Sequence, residues 1–416
     1  MTTEIVAVFV VVYFGMFLGE LPKLQLDRTG IALLGALVLI GTGAVTLEAA
    51  QASLDVRTLA LLFGLMVLSA QLRLGGFYSA VTTKLAGLDA TPPRFLLLLV
   101  LAVGALSAVF TNDVVCLAVT PVIILACRRR GLDPVPFAIG VACAANIGSA
   151  ATLIGNPQNM LIGQALKLSF PRYLAQAAVP SAISLVATWA IIVVLVRGRW
   201  TPSAPIVALG ADEPADTGHA ARIEILAPRP FNAWQTFKGL GIATALMVAF
   251  CVSPWPREVL ALGAAGLMLM SRKLQSRDML GLVDWSLLVL FAGLFVVNGA
   301  LEHTGLVAKT IEAMPSLYEP SVLFGASVVL SNVVSNVPAV MLLLPAATHP
   351  LAGPALALAS TLAGNLIIVG SVANIIVVES AKAHGVVIDW KSHARLGVPV
   401  TLATLAIAAA WLVLIA

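Results

Sequence analysis

The sequence predicts an all-α polytopic membrane protein built as two inverted repeats, each of five transmembrane helices plus one re-entrant hairpin. Three observations predict it. Apolar runs of 16 or more residues recur along all 416 residues, in a chain that is 60% hydrophobic and only 11% charged. That charged share is about half of what a soluble domain carries, and such runs suit membrane helices. A polar motif inside apolar sequence occurs twice, as FTNDVVCLAVTP (Phe110–Pro121) and VSNVPAVMLLLP (Val334–Pro345), with Thr111-Asn112 matching Ser335-Asn336 and Pro121 matching Pro345 at one offset of 224. The lysines and arginines divide 19 to 5 between the two faces of the implied topology, the bias expected when the richer face is cytoplasmic. A β-barrel is excluded, because barrel strands alternate polar and apolar residues.

The first repeat, 1–197, opens with spans at 4–19, 31–46 and 59–72. Glu4 stands where a secretory signal needs basic residues and no small-residue cleavage site follows, so the first span is not expected to be a cleaved signal. Residues 74–93, with Lys84, Asp89 and two prolines, suit an interfacial amphipathic helix. A hairpin is expected at 94–127, with Thr111-Asn112-Asp113 at its tip and the half-helices Phe95–Val109 and Val114–Cys127 as arms. Each arm is short for a span at about 1.5 Å per residue. Asn and Asp at the tip suit capping of the second arm. Residues 135–167 form an interrupted span, because NIGSAATLIGNPQN (Asn146–Asn159) places glycines, a proline, amides and hydroxyls at mid-membrane depth. Residues 174–196 complete the half.

A polar, proline-rich linker at 198–236 divides the chain and is expected on the cytoplasmic side. The second repeat, 237–416, follows the same plan. Spans fall at 238–253, 256–271 and 284–301, a hairpin at 320–348, an interrupted helix at 354–381 around GNLIIVGSVAN (Gly364–Asn374), and a last span at 397–415. Asn146/Asn365, Thr152/Ser371 and Pro180/Pro399 share an offset of 219. An odd number of crossings per half inverts the second half relative to the first, with both termini outside.

The candidate site follows from cost. Unpaired polar groups in hydrocarbon cost several kcal/mol, roughly, so the tips must face protein or ligand. Asn112 and Asn336 offer carbonyls to a cation or amide hydrogens to an anion; simple capping of the half-helices is the alternative. Asp113 is the one acid of the first hairpin and serves as a sodium ligand or proton carrier, or as a capping carboxylate. Asn146, Thr152, Gly155, Asn156 and Asn159 form the wall facing the first tip, and Asn365, Ser371 and Asn374 the wall facing the second, with Thr111 and Ser335 supplying tip hydroxyls. Sodium is expected near Asn112, Asp113 and Asn336. Cys116 reads as a buried apolar residue. The four cysteines lack metal or framework spacing, so no cofactor beyond sodium is expected. All five histidines fall in expected loops or span ends, which argues against a membrane-embedded enzyme. No nucleic-acid partner is implied.

Paired hairpins with Ser/Thr-Asn tips, each followed by a broken helix, resemble the ion transporter superfamily, and NIGSAATLIGNPQNMLIG resembles its citrate-transporter-like anion permeases. Relatives of that group include divalent-anion:sodium symporters and the arsenite pump. In the dicarboxylate branch each tip reads Ser-Asn-Thr and touches substrate and sodium. Here the tips read Thr111-Asn112-Asp113 and Ser335-Asn336-Val337, so the first has gained an acid and the second has lost a hydroxyl. The Asn-Asp tip is also similar to the arsenite pump, whose second segment does not resemble GNPQN. The resemblance implies a secondary active transporter in a bacterial inner membrane, carrying a small anion with sodium or protons by an elevator-like motion against a scaffold expected to dimerise. A sodium/proton antiporter and an arsenite efflux permease are the alternatives.

Overall fold

In the computed structural model, residues 2–18, 26–201 and 230–416 are described. Most of the expected linker, 202–229, lies outside them. Among the described residues the chain is helical, with no strand. The first half runs α1 (Thr2–Leu18), α2 (Arg28–Gly41), α3 (Leu47–Ser53), α4 (Val56–Leu74), α5 (Phe77–Ala86), α6 (Pro92–Val109), α7 (Asn112–Arg129), α8 (Pro134–Ala150), α9 (Pro157–Ala165) and α10 (Phe170–Val196). The second runs α11 (Ala233–Val252), α12 (Arg257–Leu269), α13 (Ser276–Leu280), α14 (Trp285–His303), α15 (Leu306–Glu312), α16 (Pro320–Val334), α17 (Asn336–Leu343), α18 (Ala352–Ala363), α19 (Val372–Ala383) and α20 (Trp390–Leu414). Of these, α4, α6, α10, α11, α14 and α20 are long and apolar enough to cross a membrane unaided.

Helices α1, α2, α4, α11, α12 and α14 form a first bundle whose two halves interlock reciprocally. Helix α4 packs on α12, and α14 packs on α2. The contact is close because a glycine sits at each crossing. A Cβ on Gly64 would stand 2.7 Å from the Ala261 backbone, and one on Gly293 would stand 2.8 Å from the Ala32 backbone. Gly64/Gly293 and Ala32/Ala261 are both 229 positions apart, as are Asp55 and Asp284. Those aspartates cap α4 and α14 in the same way, accepting from Thr58 N at 3.1 Å and Leu287 N at 2.9 Å. Gly64→Ala and Gly293→Ala are therefore each expected to cost about 1–3 kcal/mol by overpacking. Thermal melts should find the two losses similar; one loss without the other would contradict the reciprocal crossing.

The hairpins α6–α7 and α16–α17, the broken helices α8–α9 and α18–α19, and the long helices α10 and α20 form the second bundle. Helix α8 packs on α6, α7 and α10, α19 packs on α7 and α8, and α10 packs on α20, so the two halves interleave here too.

Several details differ from the sequence expectation. Both arms of the first hairpin are 18 residues long, because Pro92 and Pro93 start α6 early and Arg128-Arg129 extend α7. Its tip is nonetheless buried. The tip is not capped by Asn112 or Asp113: Thr111 is the N-cap, without a side-chain bond, and the other two are already helical. Helix α5 is more than interfacial. Its Tyr78 is buried and sets its ring edge-on to Phe110, 5.9 Å between centroids, behind the first tip. The last helix starts at Trp390 instead of 397, capped by Asp389, which accepts from Ser392 N at 2.8 Å.

Candidate functional site

The first tip docks on the first break through the backbone. Asn112 N donates to Gly155 O at 3.0 Å, and Thr152 Oγ1 donates to Ala108 O at 2.6 Å. The chain can come this close only because residue 155 is glycine. A Cβ there would lie 2.4 Å from Ser149 O and 2.7 Å from Ser107 O.

Asn146 is the hub. Its Oδ1 accepts from Asn112 Nδ2 at 3.1 Å and from Ser371 Oγ at 3.0 Å. Its Nδ2 donates to Asn365 Oδ1 at 2.8 Å and to Asn374 Oδ1 at 3.3 Å. One side chain thus joins the first hairpin, the first broken helix and the second broken helix. At the second tip the Asn336 amide, assigned so that its nitrogen faces acceptors, donates to Ser360 O at 3.0 Å and Gly370 O at 3.2 Å, both on the second broken helix, and α17 also packs on α9. Ser335 holds φ at 76°, a left-handed conformation that costs a non-glycine residue and recurs at functional sites.

The two breaks are built alike. Asn159 Nδ2 donates to Ser149 O at 3.3 Å and Thr152 O at 2.9 Å. Asn374 Nδ2 donates to Gly364 O at 2.7 Å and Ile367 O at 3.1 Å. Asn159/Asn374, Ser149/Gly364 and Thr152/Ile367 are all 215 positions apart. The offset of 219 pairs residues of like type; the bonding pairs residues of like position. Asn156 caps α9, accepting from Asn159 N at 2.9 Å, and donates to Ser149 Oγ and Thr361 Oγ1. Asn156 and Asn159 therefore spend their polar atoms on the break and on the Thr361 and Tyr173 hydroxyls beside it.

Two buried atoms in the network lack a partner: Asn112 Oδ1, an acceptor, and Asn365 Nδ2, a donor. Each costs about 1–3 kcal/mol unless something completes it. The Asp113 carboxylate, one residue on, has no hydrogen bond or ion pair among the described residues, and the charged group that acts on it is a second acid, Asp284. The orphan carbonyl and the carboxylate, adjacent in sequence, are both oxygen donors of the kind that hard cations take. The orphan amide fits an oxygen acceptor on a solute. Thr111 is buried at the cap of α7. The network contains no lysine or arginine.

Sequence reasoning missed His393. It is buried within α20, its Nε2 3.1 Å from Asn365 O, so it backs the residue carrying the orphan donor. Thr361 and Tyr173 also enter the network, bonding Asn156, Gln158 and Asn159. The early helix start at Trp390 is what brings His393 inward. Glu302, His303 and Glu379 are exposed.

Residues 9–363 match the citrate transporter family, CitMHS. The chain is 30% identical to a 46 kDa membrane protein of Mycobacterium leprae, over 99% of this chain and 98% of that one. It is 29% identical to the silicon efflux transporter LSI3 of rice (Oryza sativa subsp. japonica), over 95% of each. The crystal structure of the YdaH transporter of Alcanivorax borkumensis, described as having an unusual topology, superposes with a TM-score of 0.54 over 99% of this chain and 97% of that one, at 16% identity, and so shares the fold.

Proposed function

The chain belongs to the citrate transporter family, CitMHS, and from that premise we propose that this multi-pass membrane transporter is a secondary active one that carries a small anion across a bacterial inner membrane, coupled to sodium or protons. The hairpins and broken helices move as one unit, elevator-like, against a dimerising scaffold, with both termini outside and the 198–236 linker cytoplasmic.

The observation that carries this reading is the Asn146 hub with its two orphan atoms. Two helices begin at residues bonded to it, α7 at Asn112 and α19 after its cap Ser371. Their N-termini carry positive partial charge and stabilise an anion without a basic side chain. Asn112 Oδ1 and Asp113 would hold the cation, and the Asn365 amide would meet the anion. Sodium would supply positive charge beside the cargo.

The experiment is flux in proteoliposomes under imposed sodium or proton gradients, with citrate and smaller oxyanions as cargo. Asp113→Asn is expected to fold normally and to lose the dependence of flux on the ion gradient, by tenfold or more at about 1.4 kcal/mol of lost ion binding. Unchanged ion dependence would remove Asp113 from coupling. Proton flux without any anion would favour sodium/proton antiport.

A second reading has its own observation. The network offers amides and hydroxyls but no basic side chain, a lining that also suits a neutral hydroxylated solute, and the rice relative is named a silicon efflux transporter. Efflux of silicic or arsenous acid from loaded vesicles, with no citrate flux, would select it.

A further inference from the structure

Two non-glycine residues among those described hold a positive φ: Ser335 at the second tip and Lys167, at 49°, far from the network. Lys167 closes the turn after α9, where Leu168 N donates to Gly163 O at 3.1 Å. The same turn closes α19 in the second half, where Val386 N donates to Ala381 O at 2.9 Å. There the left-handed position is Gly385, at 70°. Glycine adopts this conformation freely, whereas a lysine is strained. The chain thus keeps a lysine where its own repeat uses the relaxed residue, which points to a task for the ammonium.

Lys167 lines a cavity of about 370 Å³ between the two bundles, on the face expected outside. Arg57 and Arg257 line it from the scaffold. The one acid in its wall, Glu258, is already engaged: Oε1 lies 3.9 Å from Arg57 Nε, and Oε2 accepts from Gln164 Nε2 at 3.2 Å. Arg257 spends one Nη2 hydrogen on Gly163 O at 2.8 Å. Among the described residues no hydrogen bond or ion pair is made by the Lys167 ammonium, whereas its backbone N donates to Gln164 O at 3.2 Å. Helices α10 and α12 also begin at this cavity, and neither Ser169 nor Pro256 caps its helix through a side chain. Three cations and two uncapped helix N-termini against one paired acid leave a positive field inside a concave wall.

We propose that this cavity is an oxyanion-binding site, bridging Lys167 of the moving unit and Arg257 of the scaffold. A phosphate-type group fits it, borne either by a free anion or by a lipid headgroup. The site is separate from the Asn146 network, so its test does not depend on what that network carries.

The cavity contains its own reporter. Cys251 lines it and is exposed, whereas Cys116, Cys127 and Cys143 are buried. In phosphatidylcholine nanodiscs, an anionic methanethiosulfonate reagent is expected to label Cys251 about tenfold faster than a cationic one, each rate normalised to a free thiol. Inorganic phosphate, exchanged for chloride at constant ionic strength, should slow that labelling and so identify a free anion as the ligand. Slowing in phosphatidylglycerol nanodiscs without phosphate would identify the headgroup instead. Lys167→Gly relaxes the turn, so it should hold or raise the melting temperature while abolishing preference and protection. Equal rates without protection in either membrane, or a Lys167→Gly protein that keeps both effects, would overturn the proposal.

Discussion

Asn146→Ala is expected to abolish transport while leaving a folded, less stable protein. The side chain makes four buried hydrogen bonds to Asn112, Ser371, Asn365 and Asn374. Removing it strands partners on the first hairpin and the second broken helix at once. An unmade buried bond costs about 1 kcal/mol or more, and some partners would pair with water, so a loss of roughly 2–4 kcal/mol is expected. Function should suffer more than stability. The first tip would lose its side-chain tie to the second broken helix, and a binding geometry loosened by about 1 Å costs on the order of 100-fold. Asn146→Asp separates the two faces of the hub. It keeps both acceptor bonds and loses the donations to Asn365 and Asn374, so the first tip stays docked while the second break loosens. Flux in proteoliposomes and a thermal melt check both variants. Wild-type flux in Asn146→Ala would remove the hub from the transport site.

Gly155→Ala is expected to have the next largest effect, through the backbone. The new methyl would meet Ser149 O at 2.4 Å, Ser149 Cα at 2.5 Å and Ser107 O at 2.7 Å. None of these atoms can rotate away as a side-chain end could. The break must shift, and with it the Gly155 carbonyl that holds Asn112 N. The stability loss should reach the upper end of the usual overpacking range, about 3 kcal/mol, with flux near background. Gly266→Ala is the control. Nothing lies within 4 Å of a Cβ there, and the residue is inside helix α12. It should be neutral or stabilise by about 0.4–1 kcal/mol. Equal behaviour of the two variants would show that the tight approach at Gly155 is not needed.

The parts of the fold that could be read from sequence are those where polarity conflicts with surroundings. Asn112, Asn146 and Asn336 stand out because an amide in hydrocarbon needs a reason, and all three lie in the central assembly. The register between the halves was less legible. Matching Asn146 to Asn365 by type gives 219, but the breaks correspond through the backbone carbonyls of Ser149 and Gly364 and of Thr152 and Ile367, which no side-chain identity reveals. His393 was hidden by its neighbours. Lys391 and Arg395 make the segment look solvated, yet they lie on the exposed side of a helix whose other side buries His393, Leu396 and Gly397. The positive φ of Lys167 carries no signal in the letters at all, since a turn closed by lysine looks like any span end.

The most direct measurement is the melting temperature of the purified protein in sodium against choline at constant ionic strength, across pH, for the wild type, Asn112→Ala, Asn336→Ala and Asp113→Asn. A ligand that binds only the folded state stabilises it in proportion to RT ln(1 + [L]/Kd), about 2.7 kcal/mol at 100 times Kd. Sodium is expected to raise the wild-type melting temperature and to lose that effect in Asn112→Ala and Asp113→Asn, with a smaller loss in Asn336→Ala, whose amide reaches only the second break. A shift with pH but not with sodium, abolished by Asp113→Asn, would keep the site and assign it to protons. Identical responses to sodium and pH in the wild type and all three variants would contradict an ion site between the hairpin tips and the broken helices.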